Sequence, residues 1–472
     1  MAADAVTPEY IIGKKDLFPN IAKLMQNGAT CTYSAYVQKG YNGSYSSRQN
    51  WASIYTGLTP YEHGIDYDIK AAKEKSARMQ NFDNIKPFWK ILNDNGLTVG
   101  LWSPLCCNDP VKINGYVVSG KYEPIFSPQE DREANREITV CEKDKYILKY
   151  LKGEPPPRVY PKTLNQQGYT FEQLKQNPEL VDKIANEDNF KPLLDNFRDE
   201  LEYWFNSMSN AQRENPVDVI YLFTPTTDIL AHFVLYSDDN PVLIKAYQLL
   251  DTYIGSFINE FNPDISIFMS DHGQQNFKYL VNCSNQNIQK EGFENRDKVI
   301  WLKNGYIAFE AKNGGLIFTA HSLKGLFIAC GKGIKNTELK EMRTIDIYPT
   351  ILEMFGVKIP EERHGYVMDI FLREIINIDK LLLYKDIIYK NIALIQTHEV
   401  SKVDIFINEL YIENRFIKLT IIGEAKYEEI FRNNPRVSDF VPIEKINAKD
   451  FDEVYCGFFN KATSQMSHIR VI

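Results

Sequence analysis

Val217 to Phe223 reads VDVIYLF, a nearly continuous apolar run of strand length. Runs of this kind belong to strands buried on both faces. Asp264 to Met269, DISIFM, and Gly325 to Cys330, GLFIAC, repeat the pattern. Periodic helices stand between them: Val242 to Phe261 carries Ile244, Tyr247, Leu250, Ile254, Phe257 and Ile258, and Lys86 to Asn95 carries Phe88, Trp89, Ile91 and Leu92 before Gly96. Thr98 to Trp102 then reads as a strand, and Asp16 to Asn27 and Thr344 to Phe355 as further helices. This alternation predicts an α/β fold with a mostly parallel central sheet. Ligand chemistry in such sheets lies beyond the carboxyl ends of the strands, so the residues there are the ones to question.

The first run delivers Thr224 to His232, TPTTDILAH. Asp228 and His232 are four apart and share a face if the segment is helical, although an isolated pair at that spacing is commonly an ion pair or cap. The second run ends in Ser270-Asp271-His272-Gly273. An Asp and a His side by side, before a glycine that permits tight turning, form a sharper signal. Leu316 to Ala320 runs into His321. Asp4 precedes turn-forming residues, but three residues are too few for an ordinary central strand before it, and alone it reads as a solvated acid. His63, His364, His398 and His468 fall at none of these ends and stay outside the site. Carboxylates and imidazoles together suit zinc or a similar divalent ion. Two ions about 3.5–4 Å apart can clamp both oxygens of an in-line displacement.

Ser46 to Ile65, SSRQNWASIYTGLTPYEHGI, sets a hydroxyl just ahead of a short helix. Free backbone N–H groups and the helix dipole favour an anion there, which makes Ser47 the candidate nucleophile. Taken alone, a serine ahead of a helix is more often an N-cap. Metal coordination would activate its hydroxyl. Asn50 could hydrogen-bond a phosphoryl oxygen as charge builds on it; its plainer role is helix capping.

Composition narrows the partners. With 472 residues, 44% hydrophobic and 25% charged, the chain is expected to be an ordinary soluble globular protein. A net charge of −8 gives no global attraction for a nucleic-acid duplex or an anionic membrane, so an anionic substrate must be held by local cations or metals. The seven cysteines are scattered without a C-x-x-C pair, which fits a reducing, cytoplasmic compartment. No apolar run approaches a membrane span, no signal segment opens the chain, and its start reads as cut short. Residues 1–375 read as a catalytic domain. An insertion at about 122–216, charged and proline-bearing, is expected to lie over the sheet as a lid region, with Phe190, Leu194, Phe197, Leu201, Trp204, Phe205 and Met208 on one helix face. Its aromatics, Tyr203 and Trp204 among them, could stack on a base or pack the helix. Residues 376–472 read as a small C-terminal α+β module, with alternating runs at Val403 to Ile412 and Phe416 to Ile422.

The order of these motifs resembles the alkaline phosphatase superfamily, and within it the type I phosphodiesterase/nucleotide pyrophosphatase branch. The residues carrying the resemblance are S-x-x-N-W-A-S-I-Y-T-G-L-x-P-x-x-H-G-I from Ser47 to Ile65, D-x-x-x-H from Asp228 to His232, SDHG at 270–273, and His321 followed by Gly325. INGYVVSG at 113–120 and DIYPTILEMFGVKIP at 346–360 add to it. The resemblance implies a three-layer sandwich and a site of two zinc ions, manganese being an alternative. One metal would take Asp228, His232 and His321, the other Asp4, Ser47, Asp271 and His272. It also implies a transiently phosphorylated Ser47, where the branch usually carries Thr, with Asn50 touching the phosphoryl oxygen. A sulfatase would need a Pro-x-Arg context that Ser47-Arg48-Gln49 does not supply. The expected activity is hydrolysis of a small phosphate ester or nucleotide, most simply a phosphodiester or pyrophosphate bond. A phosphomonoesterase, a phosphomutase and a degenerate metal-binding scaffold stay open as alternatives.

Overall fold

A computed structural model of the chain describes residues 1–36, 47–65, 85–105, 112–120, 138–157, 159, 161–235, 239–276, 299–302, 307–310, 315–377, 390–395, 407, 417–432, 437–442, 451, 453–456 and 469–471. The run at Val403 to Ile412, His398 and His468 lie outside the described residues, Ile407 excepted. Those described fall into two compact units, one ending by residue 377 and the other starting at Lys390.

The first unit is built on a nine-stranded sheet. In chain order its strands are β1 (Ala2–Ala3), β2 (Gly28–Ser34), β3 (Val99–Trp102), β4 (Gly115–Gly120), β5 (Ile138–Thr139), β6 (Val219–Thr224) and β7 (Ile265–Ser270). After β8 (Gly273–Asn276), β9 (Val299–Trp301), β10 (Ile307–Glu310), β11 (Leu316–Ile317) and β12 (Thr319–Ser322) come β13 (Lys324–Gly331) and β14 (Thr337–Arg343), which complete it. The spatial order is β14-β2-β13-β7-β1-β6-β3-β4-β5. β13 runs antiparallel to both its neighbours and β5 to β4; all other pairs are parallel. The protein therefore has the mostly parallel α/β fold its apolar runs predict.

Alternation along β6 separates the two faces. Leu222 joins a core with Ile21, Tyr247 and Leu250 from the helices Pro19–Asn27 and Pro241–Phe261, and with Phe18 just ahead of the first. Tyr221 and Phe223 point the other way, where the ring of Trp51 lies 5.3 Å from Phe223 and that of Tyr55 5.9 Å from Tyr221. Helices thus cover both faces, giving three layers. The long helix at the end of the expected lid region, Glu187–Glu214, is built into the core. Phe197, Leu201, Trp204 and Met208 are buried in it, and Phe205 stacks on Tyr253 at 5.1 Å. Of the two aromatics that could have faced a base, Trp204 is 4% exposed and Tyr203 donates its hydroxyl to the Gly153 carbonyl. Such a wide apolar stripe is satisfied only by a neighbouring layer.

β1 departs from expectation. Ala2 and Ala3 are fully buried and pair with β6 on one side and β7 on the other, and the Met1 carbonyl accepts from Met269 N–H. Two alanines and one flanking residue suffice because their neighbours, not their own length, hold them. Asp4 is consequently a buried strand-end residue rather than a solvated acid.

In the second unit, β15 (Lys390–Ile395), β16 (Ile417–Gly423), β17 (Asp439–Pro442), β18 (Glu453–Cys456) and β19 (Ile469–Val471) form a sheet of order β17-β16-β15-β18-β19. It combines helix and strand as expected, and every pair among its described strands is parallel. Ile392, Leu394, Leu419, Ile421 and Phe431 form its core.

Candidate active site

Three adjacent strand ends supply the carboxylates. At β1, Asp4 N–H donates to the Thr224 carbonyl and its own carbonyl accepts from Thr227 Oγ1. Ala5 turns the chain away in the left-handed region, at φ +55°, and its N–H donates to Asp271 Oδ1 at 3.3 Å. Asp271 and His272 follow β7 directly, and Ser270 Oγ fastens that corner by accepting from Val6 N–H and donating to the His272 carbonyl. Beyond β6 the helix Thr226–Val234 carries Asp228 and His232 on one face, as their spacing predicts. The strand expected at Leu316 to Ala320 is broken into β11 and β12. Phe318 N–H between them donates to the His232 carbonyl, so the chain wraps the end of that helix and brings His321 over it.

Two groups of donors result. Asp228, His232 and His321 form one; Asp4, Asp271 and His272 form the other; within each, one ligand atom per residue lies within 4.8 Å of the rest. The rings of His272 and His321 stack at 4.0 Å, so the two groups adjoin. His232 Nδ1 lies 2.8 Å from the Thr319 carbonyl and His272 Nδ1 3.0 Å from that of Gly273. A carbonyl only accepts, so both Nδ1 atoms carry hydrogen and both Nε2 atoms face inward. That is the second-shell pattern that orients imidazoles toward a metal.

The electrostatics of the two groups differ. Burial would raise Asp228, but the neighbouring His232 and His321 outweigh it and hold the carboxyl well below its usual range. Burial would lower His232, but Asp228 outweighs it and raises the imidazole. In the other group burial, then the charge of Asp228, pushes Asp4 up to about 7. Burial, then Asp4, pushes Asp271 well above the carboxylate range, while burial, then His321, keeps His272 neutral. Asp4 Oδ1 and Asp271 Oδ2 are buried without a hydrogen-bond donor among the described residues. Orphaned buried carboxylate oxygens beside inward-facing imidazole nitrogens fit divalent cations.

Ser47 opens the helix Ser47–Thr56, half-buried, and its Oγ lies 3.0 Å from His272 Nε2. With Nδ1 protonated, the serine hydroxyl is the donor of that bond. Trp51 and Tyr55 fix the helix on β6, and Tyr55 and Tyr221 share a 2.8 Å hydroxyl contact. Gly57 closes the helix at φ +66°, and a Cβ there would strike the Tyr348 ring at 2.8 Å. Asn50 stands on the same helix. It is fully buried, its Oδ1 accepts from Tyr36 N–H at 2.6 Å and its Nδ2 donates to the Tyr36 carbonyl at 3.0 Å. These bonds clamp the helix to the chain leaving β2.

His63 stays outside the donor groups. Its Nδ1 accepts from Ile65 N–H, so its Nε2 donates to Ser53 Oγ at 3.0 Å, tying the turn to the Ser47 helix. Burial lowers it to about 3. His364 is exposed and pairs with Glu62. Sequence reasoning missed Gln274 and Thr319, which support Asp228 and His232. Neither carries a local signal, since their partners are 46 and 87 positions away.

A helix-borne hydroxyl thus adjoins paired Asp/His donor groups at the strand ends of an α/β sheet. The chain belongs to the type I phosphodiesterase/nucleotide pyrophosphatase family, whose sequence profile matches residues 1–349. Solved structures similar to it include murine ectonucleotide pyrophosphatase/phosphodiesterase 5, in an inactive variant in complex with AMP, at 13% identity and TM-score 0.38. The human counterpart is 13% identical with TM-score 0.37; each alignment covers 76% of this chain and 95% of the other. No curated protein sequence matches the chain significantly.

Proposed function

We propose that this protein hydrolyses phosphodiester or nucleotide pyrophosphate bonds with Ser47 as nucleophile and two divalent ions, zinc or manganese, as cofactors. The observation that carries the reading is the Ser47 hydroxyl, set at a helix start 3.0 Å from His272 and beside the carboxylates of Asp4 and Asp271. Asp228, His232 and His321 would hold one ion, and Asp4, Asp271 and His272, with Ser47, the other. When bound, the ions supply Lewis acidity that lowers the serine hydroxyl pKa and neutralises charge on the phosphoryl oxygens.

The chain's own groups do the rest. The N-terminal N–H groups of the Ser47 helix orient the anionic phosphoryl group. Ser47 Oγ attacks phosphorus in line, the leaving alcohol departs, and water then cleaves the phosphoseryl ester. Asn50 keeps the helix start aligned with β2 through Tyr36. Among the described residues no helix is long and apolar enough to cross a membrane, and a cytoplasmic location is part of this proposal.

The test is hydrolysis of bis-p-nitrophenyl phosphate beside p-nitrophenyl phosphate by metal-stripped protein re-supplied with zinc or manganese. Metal-dependent diester cleavage is expected to exceed monoester cleavage. Ser47→Ala should bind metal yet lose turnover by several orders of magnitude. A variant with near-normal rate would remove Ser47 from the role.

A further inference from the structure

Gln274 stands two residues beyond His272, in β8, directly opposite His321 in β12. It is 4% exposed, and each polar atom of its amide is engaged. Nε2 donates to Asp228 Oδ1 at 2.5 Å, Oε1 lies 3.0 Å from the Thr319 hydroxyl, and the backbone N–H donates to Thr7 Oγ1 at 3.1 Å. The amide orientation follows from chemistry: an ionised carboxylate only accepts, so the nitrogen must face Asp228.

Asp228 Oδ1 is the oxygen 3.1 Å from His321 Nε2 and 3.4 Å from His232 Nε2. Gln274 therefore holds the carboxylate oxygen on which both imidazoles converge. Through Thr319 it reaches the residue whose carbonyl orients His232. It does so with a neutral donor, which stabilises the carboxylate without adding a cation that would repel a metal.

We propose that Gln274 is a positioning residue for the Asp228–His232–His321 centre. It selects the oxygen that Asp228 presents and sets the metal affinity of that centre, leaving the Asp4–Asp271–His272 centre unchanged. The inference rests on the two-metal reading above. Losing an outer partner of this kind weakens metal binding by roughly 10- to 100-fold.

The experiment titrates cobalt(II) into the metal-stripped full-length protein against a competing chelator, following the visible absorption of each bound ion. Wild type, Gln274→Leu, the near-isosteric Gln274→Glu, and Asp228→Asn as the marker for this centre are compared. Wild type is expected to take up two ions. Gln274→Leu should weaken, by at least tenfold, the same ion that Asp228→Asn loses, and alter its absorption band, with the other ion's affinity retained. Gln274→Glu cannot donate while ionised, so its defect should match or exceed that of Gln274→Leu at pH 8. Two ions in wild type with Gln274→Leu indistinguishable from it, or with both affinities falling together, overturn the assignment while the metal reading stands. Fewer than two ions in wild type overturn the metal reading and this proposal with it. Should Gln274→Leu fail to fold, Gln274→Asn, whose amide is one methylene shorter, is titrated in its place and the same outcomes decide.

Discussion

The two donor groups share residue types yet solve the burial of charge in opposite ways. Asp228 sits between two imidazoles and takes a hydrogen bond from Gln274, so its negative charge is answered by the protein itself. Asp4 and Asp271 face one neutral histidine and each other, with an orphaned oxygen apiece. The first group is balanced as it stands. The second stores unfavourable electrostatics that a cation would relieve, an expense in stability justified only by binding. Pairs of titratable groups driven apart in this way are characteristic of functional sites.

The sharpest way to break this comparison is to neutralise one acid in each group. Asp271→Asn and Asp228→Asn should both lose diester hydrolysis by orders of magnitude, but their metal-free stabilities should move in opposite directions. Removing a crowded carboxylate at 271 should raise the melting temperature. Asp228→Asn strands two imidazoles and should cost about 3 kcal/mol. Chemical denaturation of the stripped variants measures both, and shifts of the same sign would end the distinction.

Metal addition to wild type comes next. Ligand protonation competes with metal, so the rise in melting temperature on adding zinc should be large at pH 8 and shrink toward pH 5.5. A pH-independent rise would count against these carboxylates as ligands.

The pH slope of the metal-free protein is a finer test. Asp4 has a folded pKa raised to about 7, so between pH 4 and 7 the folded state binds more protons than the unfolded one. Its contribution is fully present below about pH 4 and lost as pH rises through 7. Asp4→Asn should flatten that slope in thermal melts. His63 gives the opposite effect. Its folded pKa is lowered to about 3, so stability is present above pH 6.5 and lost as pH falls toward 3. His63→Gln should remove that loss at a cost of about 1 kcal/mol from the bond to Ser53.

Much of this site was legible because strand ends are local features. DISIFM before Ser270-Asp271-His272, and VDVIYLF before Asp228 and His232, announce buried strands and what they deliver. The motif order also pointed to the family that the match over residues 1–349 establishes. Asp4 was harder to read, since β1 is a strand only by virtue of β6 and β7 beside it. Asn50 showed a capping residue where the amide reaches back to Tyr36. The helix Glu187–Glu214 displayed its apolar stripe, but a stripe does not say which layer will cover it.

The sequence by itself determined the donor types, the α/β alternation and the hydroxyl at a helix start, because each depends on neighbours within a few residues. Tertiary structure alone decided which donors share a centre, that Asp4 is buried, and that Gln274 answers Asp228. Those outcomes rest on contacts between residues 46 to 268 positions apart, where the balance of desolvation and charge exists only once the sheet has assembled.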